Sequence, residues 1–383
     1  MQSSLGSKKM IHALITLATV WFFWVDPVYA EPRPPCIDGL PCQTPSGPTP
    51  YDLSRFDIPF DYSWPVPPQT SQTINVQAGS MSSLQQAVST PGARVIVPAG
   101  SYVGNLNFAD NVEIVASNGA RWVLTSNNSC NNTSNVSWTG GVIDGSNFAY
   151  SLSWFNCNDW LIDNVRFDDL DGLYPFNGNS ANRFAMVNST GRFTNYAWFS
   201  LGAYTGTRIK YRNAIIANCD FEGGYPSGAE STVRWQRVEN GIIVDSRLWN
   251  GAKHSFRTHY GSRNMFIHST QLEGGSLQAH YPNGSGTATE LLDDTLGAHY
   301  SIANTYYRRT SGGVNIQRGP NGSGDFDGPV IIRDNSAYHP DQSNSNGEAE
   351  RRFPQPVLSG DISANNIEYP FRTPPQFNGG ADH

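Results

Sequence analysis

The sequence predicts an all-β fold wound as a solenoid, and three observations carry that prediction. From Arg94 onward, short apolar runs are punctuated by Gly and Asn. One phrase recurs within them: an apolar pair, then Asn, Asp or His, then an aromatic residue or Leu a few positions on. Leu161-Ile162-Asp163-Asn164-Val165-Arg166-Phe167 and Ile215-Ile216-Ala217-Asn218-Cys219-Asp220-Phe221 are two copies. Its polar residue falls at 164, 188, 218, 245, 268, 304, 335 and 366, giving intervals of 24, 30, 27, 23, 36, 31 and 31. A self-similar period stretched by loop insertions marks stacked coils, none stable alone. Turn signals every ~8–12 residues, as in a sandwich, would not organise into this longer repeat. Composition agrees: Gly, Asn, Ser and aromatics are plentiful, Lys is scarce, and charged residues are 15% of the 383.

The elements follow in order. Lys8-Lys9, an apolar run from Met10 to Val25, and the small-residue site Val28-Tyr29-Ala30 have the layout of a signal peptide over residues 1–30. The run is shorter than the roughly 20 residues a spanning helix needs, so a soluble chain, secreted or periplasmic, is expected. Residues 31–70 hold most of the Pro density and read as an extended leader that wraps on the domain. Ser80 to Ser89, with Leu84, Ala87 and Val88 on one helical face, predicts a short N-terminal helical cap. The solenoid occupies 71–370, followed by a tail at 371–383.

Charge and cysteines bound the function. A net charge of −7 excludes a strongly basic nucleic-acid binder. Five cysteines are an odd number: Cys36 with Cys42 and Cys130 with Cys157 are the candidate pairs, leaving Cys219 as a buried inert thiol. No Cys-x-x-Cys or His-rich spacing suggests structural zinc.

Pro91-Gly-Ala-Arg-Val-Ile-Val-Pro-Ala-Gly-Ser-Tyr102 and Gly140-Gly-Val-Ile-Asp-Gly145 resemble the opening coils of right-handed parallel β-helix proteins of the pectate lyase-like superfamily. The resemblance covers roughly residues 75–370 and implies that fold. It leaves the activity open, because the superfamily holds lyases, hydrolases, epimerases and adhesins.

Three segments align without gaps at a displacement of 23: Ser231–Gln236, His254–His259 and Leu277–Pro282. Strand side chains alternate between faces. With Val233 and Phe256 inward, Arg234, Arg257 and His280 form one outward column. Thr232, Ser255 and Gln278 lie on one side of it, and Gln236 with His259 on the other. Lys253 shares the parity of Arg257, while Tyr196, Trp198, Asn315 and Gln317 extend the face as substrate contacts. Such a face suits β-elimination of a uronate glycan. Arg neutralises the carboxylate bidentately, and His or a Lys of lowered pKa removes the C5 proton. The face resembles that of chondroitin and alginate lyases, which implies an acidic polysaccharide as partner. Separately, the charge predicts no nucleic-acid partner, signal cleavage leaves no membrane anchor, and a monomer is expected.

Other constellations compete. Asp293-Asp294, Gly297-Ala298-His299 and Arg208-Ile209-Lys210 resemble fragments of polygalacturonase-type hydrolases, but the order is reversed and the middle residue of the His element is Ala. Asp168, Asp169 and Asp171 read as an Asp-rich turn or as an oxygen-ligand calcium site, calcium being the one cofactor the sequence offers. Gly319 to Gly328 reads as a rim loop. A non-catalytic glycan-binding adhesin on the same scaffold is the third class.

Overall fold

The computed structural model describes residues 51–155, 157–175, 181–193, 197–201, 211–223, 231–259, 262–279, 298–308, 330–339 and 362–370. The expected signal peptide, the leader before residue 51 and the tail beyond residue 370 lie outside these. Among the described residues no helix is long and apolar enough to cross a membrane.

Among the described residues every strand pairing is parallel. Among the same residues one sheet stacks twelve strands, from Gln72–Asn75 through Ala93–Val97, Trp160-containing Asn158–Asp163 and Tyr211–Ala217 to Ile362–Ala364. Its neighbours in the stack are not neighbours in the chain, because each coil visits a second sheet before returning. Parallel strands of one sheet joined by crossovers are right-handed in nearly all proteins. The chain is a right-handed parallel β-helix. The second sheet consists of two stacks. They merge in the long strand Arg247–His259, whose start pairs with Asp220–Glu222 and whose end pairs with Ser231–Gln236.

Alternation builds the core. In Ala93-Arg94-Val95-Ile96-Val97 the odd positions are buried, while Arg94 is exposed and Ile96 half-buried. On the second sheet an inward column runs Trp122, Ile143, Phe167, Gly191, Phe221, Leu248, Leu272 in register. Each such apolar side chain taken from water contributes about 1.5–3 kcal/mol. The predicted cap is helix Met81–Val88. The Ser80 hydroxyl accepts from Ser83 N, and Leu84, Ala87 and Val88 are buried at the solenoid's first coil.

The recurring phrase is the turn from the first sheet into the second. Asn164, Asn188, Asn218, Asp245, Ser269, Ala303, Asp334 and Asn365 occupy the left-handed region, with φ between 46° and 59°. Short polar residues tolerate that conformation best. The residue after each forms a second, inward column: Val165, Ser189, Cys219, Ser246, Thr270, Asn304, Asn335, Asn366. There a side-chain oxygen accepts the backbone N–H of the preceding coil: Ser189 Oγ from Val165 N at 3.1 Å, Asn304 Oδ1 from Thr270 N at 2.9 Å, and Asn335 Oδ1 from Asn304 N at 2.9 Å. The sequence phrase therefore mixed two columns. Positions 164 to 245 belong to the left-handed one, 304, 335 and 366 to the inward one, and His268 precedes both. Both columns select the same small polar side chains, so composition alone does not separate them.

Cys219 sits in the inward column with its N–H on Ser246 Oγ, and full burial pushes its thiol pKa up, as suits an inert group. Cys130 and Cys157 are buried, unlinked thiols on adjacent coils. The Thr133 hydroxyl lies between them, 2.7 Å from Cys130 Sγ and 3.5 Å from Cys157 Sγ.

From residue 51 to 70 the chain forms a strap across the outside of the first sheet. Leu53 and Phe56 cluster with Ala185, Val187, Ile215, Ala217, Ile242, Val244, Phe266 and Ile302, the outward residues of five coils. At the strap's start Arg55 and Tyr51 both bond the Asp245 carboxylate. Burial pushes the pKa of Asp245 up to about 7, and the Arg55 guanidinium is its ion-pair partner.

Two measurements test these contacts. Asn304→Ala strips the acceptor from Thr270 N–H and the donor to Ile267 O at a site 1% exposed, so chemical unfolding should show a loss of about 1–3 kcal/mol. Arg55→Met leaves Asp245 buried without its cation. Burial already holds the folded carboxyl at about 7 against ~3.9 unfolded, so either protein loses stability as the pH rises from about 4 to 7. Loss of the cation adds its own penalty where the folded carboxyl is charged, above about 7. The variant's deficit should be about 1 kcal/mol near pH 8, Arg55 being 37% exposed, and should shrink as the pH falls through about 7.

Candidate functional site

Three adjacent strands form the candidate face: Ser231–Gln236, Arg247–His259 and Gln271–Ala279. Val233 and Phe256 are 0% and 1% exposed and lie in the core cluster, as the alternation predicts. The first two strands pair as expected, Val233 with Phe256, Arg234 with Arg257 and Gln236 with His259. Stacked strands lie ~4.8 Å apart, so two arginines stand one strand spacing from each other.

The next step departs from the expected register. Arg257 pairs with Gln278, a displacement of 21, where the ungapped alignment placed His280. Along the long strand the offset falls from 24 at Arg247↔Gln271, to 23 at Gly251↔Gly274, to 22 at His254↔Ser276, and to 21 at Phe256↔Leu277. The long strand thus carries three extra residues, absorbed as bulges. The column is Ser200, Arg234, Arg257, Gln278, with Ser200 contributed by strand Ala197–Leu201. Gln278 accordingly does not sit beside Ser255 as expected. His280, Tyr196, Asn315 and Gln317 lie outside the described residues. Lys253 and His259 belong to the long strand. Trp198 falls between the Ala197↔Ser231 and Phe199↔Val233 pairs, one coil before Thr232.

Burial is the second departure. Arg234, Gln236, Ser255 and Thr232 were expected to face solvent, yet Arg234 is 3% exposed and the other three 2% or less. A buried guanidinium requires acceptors. With the Gln236 amide turned so that its oxygen faces Arg234, Oε1 accepts from Nη2 at 2.5 Å and from Nε at 2.9 Å. Gln236 therefore holds the Arg234 fork in one orientation.

Reasoning from sequence missed a neighbouring cluster at the start of the long strand. The Arg247 guanidinium lies 4.4 Å from the Trp249 ring centroid. Trp249 Nε1 donates to Asp220 Oδ1 at 2.7 Å, and Asp220 Oδ2 is 3.5 Å from Arg247 Nη1. Thr232 Oγ1 donates to Trp249 O at 3.1 Å, tying this cluster to the Arg234 strand. Asp220 lies in a copy of the repeated phrase and reads there only as repeat, and its pairing with Arg247 and Trp249 one coil later leaves no local signal.

The rival sites fare differently. His299 is in the first sheet, paired with Met265 and Val330, 6% exposed, and burial pushes its pKa down to about 4. It stands on a different wall from Arg234 and is neutral at pH 7. Ala298 is described beside it; Asp293, Asp294, Gly297, Arg208, Ile209, Lys210 and the Gly319–Gly328 loop lie outside the described residues. Asp168 is engaged by Arg121 Nη1 and Arg166 Nη2, each at 2.9 Å. Asp171 accepts from Ser151 Oγ at 3.1 Å, and Asp169 sits in the left-handed region. Among the described residues no group of three or more His, Cys, Asp or Glu is placed to hold a metal ion.

No family model matches this chain. No curated protein matches it either. Similar solved structures include an alginate lyase from Paenibacillus sp., 14% identical with a TM-score of 0.44, covering 77% of this chain and 95% of that one. A polygalacturonase from Erwinia carotovora is 13% identical, TM-score 0.45, over 73% and 96%. A surface adhesin of Streptococcus pneumoniae is 10% identical, TM-score 0.43, over 68% and 86%. At these identities the likeness concerns the fold alone.

The Gln236–Arg234 contact is testable by stability. Gln236→Leu should cost about 1–3 kcal/mol by removing an acceptor from a buried cation, whereas Gln236→Glu, which keeps one, should cost less in the same denaturation assay.

Proposed function

We propose that this chain is an exported polysaccharide lyase that cleaves a uronate-containing glycan by β-elimination. The observation that carries the reading is the in-register pairing of Arg234 with Arg257. Like charges on facing positions of adjacent strands are unfavourable, and an anion between them turns that cost into attraction. A uronate carboxylate fits, because a guanidinium such as that of Arg257 offers a planar pair of donors, and Arg234, its Nε and Nη2 held by Gln236, adds fixed positive charge beside it. Neutralising the carboxylate acidifies the C5 proton. A base takes that proton, the electron pair closes the C4–C5 double bond, and the glycosidic oxygen at C4 leaves with a proton from an acid. Lys253 and His259, on the same strand as Arg257, are the candidate base and acid. Gln236 and Ser255, 1% and 2% exposed, support the face from beneath, and Gln278 is the candidate polar contact along the sugar chain. The burial of Arg234 and Gln236 favours this chemistry, since electrostatic interactions strengthen away from water.

The deciding assay is a panel of uronic-acid glycans followed at the ultraviolet absorbance of the unsaturated product. A growing chromophore supports elimination. New reducing ends without it would make the protein a hydrolase, and binding without either would make it an adhesin. On the substrate so found, Arg257→Ala should lose nearly all turnover, and Arg257→Lys should recover only part, the bidentate fork being gone. Lys253→Ala, His259→Ala and His280→Ala should be compared for a fall in kcat at unchanged KM, the signature of a lost transition-state interaction. Full activity in all four alanine variants would remove this face from consideration. The same assay with a chelator separates neutralisation by arginine from neutralisation by calcium.

A further inference from the structure

Four residues between Ser63 and Gln69 carry a backbone N–H, because positions 65, 67 and 68 are proline. Three of the four donate to side chains of the solenoid. Ser63 N reaches Asn213 Oδ1 at 3.1 Å, Val66 N reaches Asp159 Oδ1 at 2.8 Å, and Gln69 N reaches Asn111 Oδ1 at 3.5 Å. The fourth, Trp64, instead packs its ring on the apolar stripe of the first sheet.

The three acceptors belong to a second left-handed column, at the start of the first-sheet strands: Asn111, Asn135, Asp159, Arg183, Asn213, Asn240, Asn264, with φ between 56° and 60°. Consecutive members lie on consecutive coils, so the N–H groups of residues 63–69 bond every second one, while just before them Asp61 O accepts from Asn240 Nδ2 at 2.9 Å. The skipped members are donors. Asn135 Nδ2 donates to Asn111 Oδ1 at 3.0 Å, Arg183 Nη2 to Asp159 Oδ2 at 2.7 Å, and Asn240 Nδ2 to Asn213 Oδ1 at 3.4 Å. From Asn111 to Asn240 the column thus alternates acceptor and donor, and the N–H groups of residues 63–69 meet the acceptors; beyond it Asn264 Nδ2 donates to Asn240 Oδ1 at 2.8 Å.

Sequence fixes the strap's side of the match. Proline locks φ near −65°, and a residue before proline is pushed into the extended region, so Trp64 to Pro68 are held close to polyproline II. That helix advances ~3.1 Å per residue, or ~9.3 Å for three. Two coils advance ~9.6 Å. The two repeats are commensurate. We propose that the outer margin of the first sheet is a receptor for a polyproline-II segment, reading an N–H at every third residue on every second coil, and that residues 63–69 of this chain are the segment it is built for.

Two pairs of variants test the rule in the full chain, with amide hydrogen exchange read residue by residue. In the parent protein Ser63, Val66 and Gln69 should exchange slowly and Trp64 fast. Val66→Pro keeps the polyproline-II backbone but deletes the donor to Asp159; Val66 is 43% exposed, so little packing is lost. Exchange at Ser63 and Gln69 should rise about five- to tenfold over Val66→Ala, the effect of one net hydrogen bond. Trp64→Pro puts the same ring two residues earlier, where no donor is used, and should match Trp64→Ala. Equal behaviour of Val66→Pro and Val66→Ala, a disruption by Trp64→Pro as large as that by Val66→Pro, or slow exchange at Trp64 would each overturn the proposal.

Discussion

The structure depends on one constraint: each coil must land on the coil before it at the same place in its turn. The inward column meets that constraint by hydrogen bonding. A turn leaves the strand ladder, so its backbone N–H needs another acceptor, and a buried N–H without one costs the fold about 1–3 kcal/mol. Ser189, Ser246, Thr270, Asn304, Asn335 and Asn366 each present a side-chain oxygen to the coil below. A slip of one residue would take the acceptor out of line with the N–H it serves and would exchange the two faces of the following strand. The polar turn thereby sets the register of the apolar wall, which supplies most of the stabilisation.

How far this was legible in the sequence follows from the same constraint. The solenoid and its cap could be read because their signals are local and repeated: alternation in Ala93–Val97, an N-cap Ser before Leu84, and a polar residue at each turn. The pairing of Arg234 with Arg257 could be read because no bulge separates the two strands there. The position of Gln278 could not. The bulges of the Arg247–His259 strand leave no mark in residue type, and an ungapped alignment spreads their three residues over the wrong positions. Burial of Arg234 was also out of reach, since which parts of a chain cover a face is a long-range property. Alternation says only that Arg234 turns away from Val233, not that water meets it there.

A solenoid wall has an outside as well as an inside, and here both are apolar over part of its length. Ala185, Val187, Ile215, Ala217, Ile242 and Val244 face outward between inward-facing Met186, Ile216 and Ile243, and all are fully buried. Such near-continuous apolar strands are typical of parallel sheets covered on both faces. The strap is that cover. It shields an otherwise open apolar stripe from other chains, and it does so with few strand-like contacts, using side chains of a turn column as its partners.

The strap also sets an order of events. It is the first described segment to be made, yet its contacts lie on residues synthesised much later: Asp245 and His268 for Arg55 and Phe56, and Tyr300 for Phe60. During synthesis, when earlier segments generally fold before later ones exist, it has nothing at that end to hold. The proline end can seat on Asn111 and Asp159 as soon as those coils form, and the rest must follow coil by coil as the solenoid lengthens. The first described segment to be made is the last to be fully seated, and its closure on Asp245 reports that the coil bearing Arg257 is in place.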